Sequence, residues 1–167
     1  MISRKNVTIL VVCIVGAFLV DQICKILIVN TLTPFDPPMN VIGTVLRFKL
    51  TYNPFGVFSI SFGPSALYYI LSIIGVVFLT IVGLSLKDRT SVVVFGVIIG
   101  GALGNIFDRV RLDYVIDFID MGFGNLRWFT YNCADAFITV GAIFLLVREL
   151  FFRKKDRSAT SRAVSGK

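Results

Sequence analysis

The sequence predicts an all-α integral membrane protein with four transmembrane helices and a small β-sheet on the outer membrane face. The composition is the first observation, with 56% hydrophobic and only 16% charged residues, whereas an ordinary soluble domain is roughly 45–50% apolar. The second is the presence of four apolar stretches, each near the roughly 20 residues that a helix needs to cross the hydrocarbon core. The third is a short alternating segment after the first stretch, which is typical of a strand.

The predicted spans are apolar stretches that cover residues 7–29, 66–86, 92–107 and 134–152. The third is short, about 24 Å at 1.5 Å per residue, so we expect its outer end to lie below the headgroups or the bilayer to be thinner there. The first span begins close to Met1 and runs too long past any small-residue cleavage site for a removable signal peptide, so we expect it to remain as a helix. Residues 1–157 are predicted to form a single membrane domain, followed by a polar, disordered cytoplasmic tail at 158–167.

Basic residues near the ends of the spans fall on one side of the predicted membrane. Lys and Arg in short loops are retained in the cytoplasm. The residues concerned are Arg4, Lys5, Lys87, Arg89, Arg148, Arg153, Lys154, Lys155 and Arg157. We therefore expect both termini to be cytoplasmic, with residues 30–65 and 108–133 facing outward. The net charge of +7 then indicates topology and attraction to anionic phospholipid, and not nucleic-acid binding.

The content of cysteine and histidine excludes several chemistries. The chain has three cysteines, Cys13, Cys24 and Cys133, without CxxC spacing, and it has no histidine. A quinone-linked thiol oxidase and a zinc protease are therefore disfavoured. We expect no metal and no cofactor, and we interpret the cysteines as small apolar packing residues.

Two local patterns add detail to the spans. The segment from Arg47 to Tyr52 alternates polar and apolar residues and predicts a strand on the outer surface. Gly96, Gly100 and Gly104 recur every four residues on one face of the third span, which allows another helix to approach closely. Packing accounts for Gly96 and Gly100, and a role in exposing backbone to the polar cluster that follows is an alternative for Gly104.

Charged residues inside the first span need a physical reason. An Asp or Lys at mid-helix costs about 2.5 to 3.5 kcal/mol on insertion. Asp21 and Lys25 are spaced i, i+4 and therefore lie on one helical face, where they can neutralise each other. A purely structural ion pair and a pair that supports a functional site both remain open.

The densest polar cluster follows the third span and resumes at the start of the fourth. Asn105 and Arg109 are again spaced i, i+4 and suit a carbonyl-rich ligand. Asp117 is flanked by apolar residues, and Asp135 begins an apolar helix, where an acid can also simply complement the helix dipole. If these two carboxylates converge, one stays protonated while the other is ionised. Such a pair supplies a general base for water and a general acid for a peptide carbonyl.

Two further acids lie in the same outer segment. Asp113 and Asp120 are interpreted as solvated loop residues, since exposure is usual for Asp.

At these residues the chain resembles the lipoprotein signal peptidase family, also called signal peptidase II, over nearly all of residues 7–152. The likeness rests on several motifs in a matching order: Val20-Asp21 with Lys25, the Asn53 segment, Gly101-Ala102-Leu103-Gly104-Asn105 with Asp108-Arg109, Val115-Ile116-Asp117-Phe118, and Asn132-Cys133-Ala134-Asp135. Any one of these motifs alone would be weak, but together on four predicted spans they are specific.

The resemblance implies an aspartic endopeptidase of the bacterial inner membrane with Asp117 and Asp135 as its catalytic pair. It would remove the signal peptide from diacylglyceryl-modified prolipoproteins, cleaving before the lipidated cysteine at the outer face. It also implies a small outer sheet and a mobile outer loop around the substrate, and we expect a monomer. The residues that would support the site or bind substrate are Asp21, Lys25, Asn53, Gly56, Asn105, Asp108, Arg109 and Asn132.

The sequence departs from the family pattern at two places. The family usually has a glycine two residues after the Asn53 position, whereas here Gly56 is displaced by one residue. The family also tends to have glycine where Asp113 stands, which alters the loop that leads to Asp117.

Three other functions stay open from the residues alone. A small four-span transporter would carry charges at mid-depth, whereas the acids here gather at the outer ends of the spans. A membrane assembly factor would tolerate Asn at both Asp117 and Asp135. A serine–lysine signal peptidase would need more outward-facing sequence than this chain has.

Overall fold

The computed structural model describes residues 3–55 and 65–165, with side chains for 3–55 and 66–151. Within these residues the chain forms helices that alternate with short strands. In chain order the elements are α1 (Arg4–Thr31), β1 (Met39–Ile42), β2 (Leu46–Asn53), α2 (Ser65–Ser85), α3 (Arg89–Leu112), β3 (Val115–Phe123), β4 (Leu126–Arg127) and α4 (Cys133–Ser165).

The helices correspond to the predicted spans. Within the described residues, α1, α3 and the Ala66–Ser85 part of α2 are each long and apolar enough to cross a membrane. Helix α4 is not in that set, and its first half carries one acid at its start and two charged residues, Arg148 and Glu149, further on. Its Val140 and Ile143 are nevertheless 66% and 56% exposed, as expected of side chains that face lipid. The fourth span remains a prediction supported by this apolar surface.

Helix α3 is longer than the apolar stretch at residues 92–107 from which the third span was predicted. Helix α3 has 24 residues, which corresponds to about 36 Å at 1.5 Å per residue. The Asp88 carboxylate caps its start by accepting a hydrogen bond from the backbone N–H of Ser91 at 2.8 Å. Its end is set by Asp113, which adopts a left-handed conformation (φ 66°) and donates its N–H to the Arg109 carbonyl. The caps therefore extend the helix by a turn beyond the apolar stretch.

The end of the chain also differs from the expectation. Helix α4 continues to Ser165, so residues 158–165 are helical and not disordered as predicted. Once a helix is nucleated, each added residue contributes another backbone hydrogen bond. The polar composition of this segment therefore does not by itself end the helix.

Helix α3 packs against each of the other three helices, and its glycines make this possible. A side-chain carbon added at Gly96 would lie 2.6 Å from Cβ of Cys13, and one at Gly100 would overlap the Ile14 carbonyl oxygen. A carbon added at Gly101 would lie 2.8 Å from the Ala134 carbonyl oxygen of α4. The packing role predicted for Gly96 and Gly100 is confirmed, because backbones approach this closely only where side chains are absent.

The strands form one antiparallel sheet in the order β1-β2-β3-β4. The strand predicted around Arg47 to Tyr52 is present as β2. Its partner β3 follows α3 directly, and Thr51 of β2 lies opposite Asp117 of β3. Apolar side chains of β2 and β3, such as Leu50 and Phe118, pack against Ile28 near the end of α1. This contact fixes the sheet over the ends of α1 and α3.

Candidate active site

The polar residues of α1 and α3 form a buried ion cluster, which we define as Asp21, Gln22, Lys25 and Asp108. The Lys25 Nζ lies 2.8 Å from a carboxylate oxygen of Asp21 and 2.8 Å from one of Asp108. Neither acid has any measurable exposure, and Lys25 is 1% exposed. Gln22 donates to both acids, at 3.1 and 3.2 Å. The predicted contact between Asp21 and Lys25 is confirmed, and its second acid comes from α3.

The ion cluster is also tied to the backbone of neighbouring elements. The Asp21 carboxylate accepts from the Ala134 N–H of α4 at 2.9 Å, and that of Asp108 accepts from the Ile116 N–H of β3 at 3.3 Å. The Gly104 carbonyl accepts from the Gln22 amide at 3.3 Å. Gly104 also lies against Asp21, since an added carbon would be 2.5 Å from its carboxylate oxygen. The cluster therefore joins α1, α3, β3 and α4 at one depth.

Asn105 connects the ion cluster to the acid at the start of α4. Its side-chain oxygen accepts from Lys25 Nζ at 3.0 Å, and its amide nitrogen donates to the Asp135 carboxylate at 2.8 Å. Because Lys25 can only donate, it fixes the amide of Asn105 with the nitrogen facing Asp135. Lys25 thus orients the Asn105 side chain, which lies outside the ion cluster and contacts Asp135.

Asn132 contacts both acids that the sequence singled out. Its amide nitrogen donates to the Asp117 carboxylate at 2.7 Å and to the Asn105 oxygen at 3.1 Å. Its amide oxygen accepts from the Asp135 N–H at 3.0 Å, while the Asp135 carboxylate accepts from the Asn132 N–H at 3.3 Å. This reciprocal arrangement is a capping box. Asp135 therefore also has the helix-starting role that the sequence left open.

Asp117 lies on β3 and is 2% exposed. Its two carboxylate oxygens accept from neutral amides, those of Asn132 and of Asn53 at 3.0 Å. Burial is the largest cause that raises the pKa of Asp117 to about 7, and the charge of Asp135 adds to it, against the opposing hydrogen bonds from Asn53 and Asn132. Among the described residues neither Asp117 nor Asp135 forms a salt bridge. We call these two residues the acid pair.

Arg109 lies on the same side of the site as the acid pair. Its guanidinium donates to the Asn105 carbonyl at 3.3 Å and to the Phe55 carbonyl at 3.2 Å, and both acids of the pair act on it electrostatically. The Tyr69 hydroxyl of α2 donates to the Arg109 carbonyl at 2.6 Å. Arg109 therefore connects α3 to the last described residue before the segment 56–64.

One residue assigned to the site by resemblance lies in that segment. Gly56 is outside the described residues, as is most of the outer loop expected around the substrate.

The interpretation of Asp120 as a solvated loop acid is wrong. Asp120 lies on β3, is 3% exposed, and pairs with Arg47 of β2 at 2.6 Å and Arg127 of β4 at 2.9 Å. Burial alone raises the pKa of Asp120, but the hydrogen bonds from Arg127 and Arg47 outweigh it and hold the pKa below its usual range. Asp113, in contrast, is exposed as expected. Asp120 thus holds three strands together through a two-arginine clamp.

Sequence reasoning missed several residues that organise this region. Gln22 is next to Asp21, and its polar side chain inside an apolar span was the available signal. Tyr69 had no such signal, because a tyrosine in a span is ordinarily an interfacial or packing residue. Arg47 was read only as one polar position in an alternating strand.

Comparison with solved structures gives the class of protein that this fold and site define. The chain resembles the protein described as "Bacterial membrane enzyme structure by the in meso method at 1.9 A resolution", with a TM-score of 0.73 and 27% identity over 84% of this chain and 92% of that one. A second structure, with the same description at 2.3 A, matches equally well over 87% of its chain. The class is therefore that of bacterial membrane enzymes.

The family is shown by sequence. The family model described as "Signal peptidase (SPase) II" matches residues 13–151. The lipoprotein signal peptidase of Pelagibacter ubique is 36% identical over 92% of this chain and 95% of its own length, and that of Caldicellulosiruptor bescii is 35% identical over 85% and 95%. The chain belongs to the signal peptidase II family and is a membrane peptidase. The resemblance stated from its motifs is thus confirmed.

Proposed function

We propose that this chain is an aspartic-type lipoprotein signal peptidase. It removes the signal peptide from diacylglyceryl-modified prolipoproteins, cleaves just before the lipidated cysteine, and uses Asp117 and Asp135 as its catalytic pair. One observation carries the assignment. Asn132 bonds to both acids, which brings the two carboxylates to one polar side chain, and among the described residues neither acid forms a salt bridge.

The electrostatics suit acid–base catalysis of hydrolysis. An acid pair that shares one proton at neutral pH supplies a base for water and an acid for the scissile carbonyl oxygen. Water loses a proton to the ionised carboxylate as it attacks the carbonyl carbon, and the protonated carboxyl gives its proton to the carbonyl oxygen. Collapse of the tetrahedral diol then returns a proton to the leaving nitrogen. The pair titrates as a unit, and the pKa of about 7 at Asp117 keeps that shared proton available at neutral pH.

The neighbouring residues position the pair and the substrate. Asn105 and Asn132 hold the Asp135 and Asp117 carboxylates, and Asn53 holds the second oxygen of Asp117. Arg109 lies within reach of peptide carbonyls, as its contact with the Phe55 carbonyl illustrates. Asp21, Lys25 and Asp108 act through Asn105. The hydrogen bonds that the described residues donate to the acid pair come from neutral amides, which leaves its proton exchangeable.

The position of the site suits a lipid-anchored substrate. The acid pair lies where α3 passes into the sheet and where α4 begins, at the end of α1 opposite the basic N-terminal residues. With both termini cytoplasmic, this is the outer face of the inner membrane. A prolipoprotein then presents its cleavage site without leaving the bilayer, surrounded by phospholipid, and a single copy of the chain contains the whole acid pair.

The test compares amide variants of three acids. Asp117→Asn and Asp135→Asn in the full-length protein should each reduce cleavage of a lipid-modified precursor by about 10²- to 10⁴-fold, because acid–base catalysis is lost. Asp113→Asn is the matched control, since Asn also tolerates the left-handed conformation at that position. Cleavage is followed by gel shift of the precursor, and folding by thermal unfolding of the purified protein.

Near-normal cleavage by Asp117→Asn or Asp135→Asn would reject the aspartic mechanism. If the double variant still supported lipoprotein maturation in cells, the non-catalytic assembly role would be favoured. Proton-coupled transport by vesicles containing the purified protein would instead favour the transporter.

A further inference from the structure

Two cysteines that the proposed mechanism does not use lie next to each other beside the active site. Cys24 of α1 and Cys133 at the start of α4 are free thiols, both partly buried. Both pack against the same buried cluster of Ile28, Leu50 and Phe118. Cys24 is also close enough to act on the Cys133 thiol.

The backbone contacts of α1 and α4 explain this proximity. The Asp21 carboxylate accepts from the Ala134 N–H at 2.9 Å, which brings the start of α4 against α1. Cys24 follows Asp21 by three residues and therefore lies on the same face of α1. Cys133 immediately precedes Ala134. The contact between α1 and α4 that holds Asp21 of the ion cluster therefore also brings the two thiols together.

The third cysteine is separate from this pair. Cys13 is eleven residues before Cys24 in the same helix, a distance of about 16 Å along the axis. It packs against α3, where an added carbon at Gly96 would lie 2.6 Å from its Cβ. Cys13 therefore provides an internal control.

We propose that Cys24 and Cys133 form a dithiol site that an external disulfide oxidises to an interhelical disulfide. One thiolate attacks a sulfur of the oxidant R–S–S–R and releases R–SH. The second thiolate then attacks the protein sulfur of the mixed disulfide and releases another R–SH. The cysteine pair loses two electrons, the oxidant gains them, and the two thiol protons leave with the released thiols.

The link would staple α1 to α4 next to Asn132 without moving the start of α4, which Asp21 already holds. Cross-linking residues this far apart in sequence restricts the unfolded chain strongly. Its occurrence in the cell rests on the outward orientation of the proposed function, because disulfides persist on the oxidising side of the membrane. The chemistry of the pair itself does not depend on that orientation.

The experiment treats the full-length protein in detergent with oxidised glutathione or with dithiothreitol. The protein is then denatured, its free thiols are labelled with a maleimide and counted, and the intact mass is measured. The wild type should fall from three reactive thiols to one and lose two hydrogen masses, and Cys13→Ser should fall from two to none. Cys24→Ser and Cys133→Ser should form no internal link.

The melting temperature separates a native link from an artefact of unfolding. Oxidation should raise the Tm of the wild type and of Cys13→Ser by roughly 5 °C or more, and should not raise that of Cys24→Ser or Cys133→Ser. Added glutathione without an internal link, covalent dimers, or a link that leaves Tm unchanged would each overturn the proposal. Neither readout uses cleavage, so failure of the protease assignment would leave this result unaffected.

Discussion

The ion cluster and the acid pair are neighbours that differ in their partners: the cluster is buried around a lysine, whereas Asp117 is buried and Asp135 partly buried among amide donors. In the cluster, Lys25 lies 2.8 Å from both Asp21 and Asp108, so each carboxylate has a cation as a direct partner. In the pair, Asp117 and Asp135 accept hydrogen bonds, among the described residues, only from amides of side chains and of the backbone. A cation beside a carboxylate favours its charged form, whereas a like charge nearby favours the protonated form of one of the two acids. The difference teaches that partners, and not burial alone, separate a structural acid from a reactive one.

The largest effect on stability is expected from removing Lys25, the cation of the ion cluster. Lys25→Met leaves two buried carboxylates without a counter-charge and should lower the free energy of unfolding by about 3 to 5 kcal/mol. Asp21→Asn should cost less, because Lys25 keeps Asp108. Asp117→Asn should leave stability near wild type or higher, since it removes a buried carboxylate that forms no salt bridge among the described residues. Thermal unfolding in one detergent ranks the three variants, and a greater loss in Asp117→Asn than in Lys25→Met would contradict the distinction.

In the sheet, Asp120 is a second example of a carboxylate with cationic partners, Arg47 and Arg127. Asp120→Asn weakens two arginine contacts and should cost about 1.5 to 3 kcal/mol, the value of hydrogen bonds to charged groups. The lowered pKa of Asp120 means that its contribution is present above the pKa of the unfolded chain and is lost as pH falls through the folded-state value. Unfolding measured between pH 7 and pH 3 checks this. An acid-side loss of equal size in the Asn variant would contradict it.

The proton of the acid pair should set the alkaline limit of activity. With the pKa of Asp117 raised to about 7, cleavage should fall as pH rises above that value and the shared proton is lost. Asn53 donates to the ionised form, so Asn53→Ala should favour the protonated form and move the alkaline limb upward by up to about one pH unit. Gln22→Met serves as the control with an unmoved limb, because the described hydrogen bonds of Gln22 go to the ion cluster and the Gly104 carbonyl and not to the acid pair. A downward shift in Asn53→Ala would contradict the assignment.

The smallest effect is expected from the neutral member of the ion cluster. Gln22→Met keeps the side-chain volume but removes the hydrogen bonds to Asp21, Asp108 and the Gly104 carbonyl. Since Lys25 still contacts both acids, the cost should be about 1 kcal/mol, with the cleavage rate little changed. A loss as large as that of Lys25→Met would show that the amide, and not the cation, stabilises the cluster.

Several features of the site could be predicted because they are local. The i, i+4 spacing predicted the contact of Asp21 with Lys25, and alternation predicted β2. The strand β3 could not be read in this way, because Val115 to Phe118 are all buried and show no alternation. The burial of Asp120 could not be predicted either, because its two arginine partners come from other strands.

The sequence by itself determined which segments are apolar enough for a membrane, which of their residues are charged, and to which family the motifs point. These are properties of single segments and of their order along the chain. Only the tertiary structure decided that Asp108 joins Asp21 at Lys25 while Asp117 joins Asp135 through Asn132. The physical reason is that a carboxylate's proton affinity depends on the charges and donors within a few ångströms, and those come from elements 15 to more than 100 residues away.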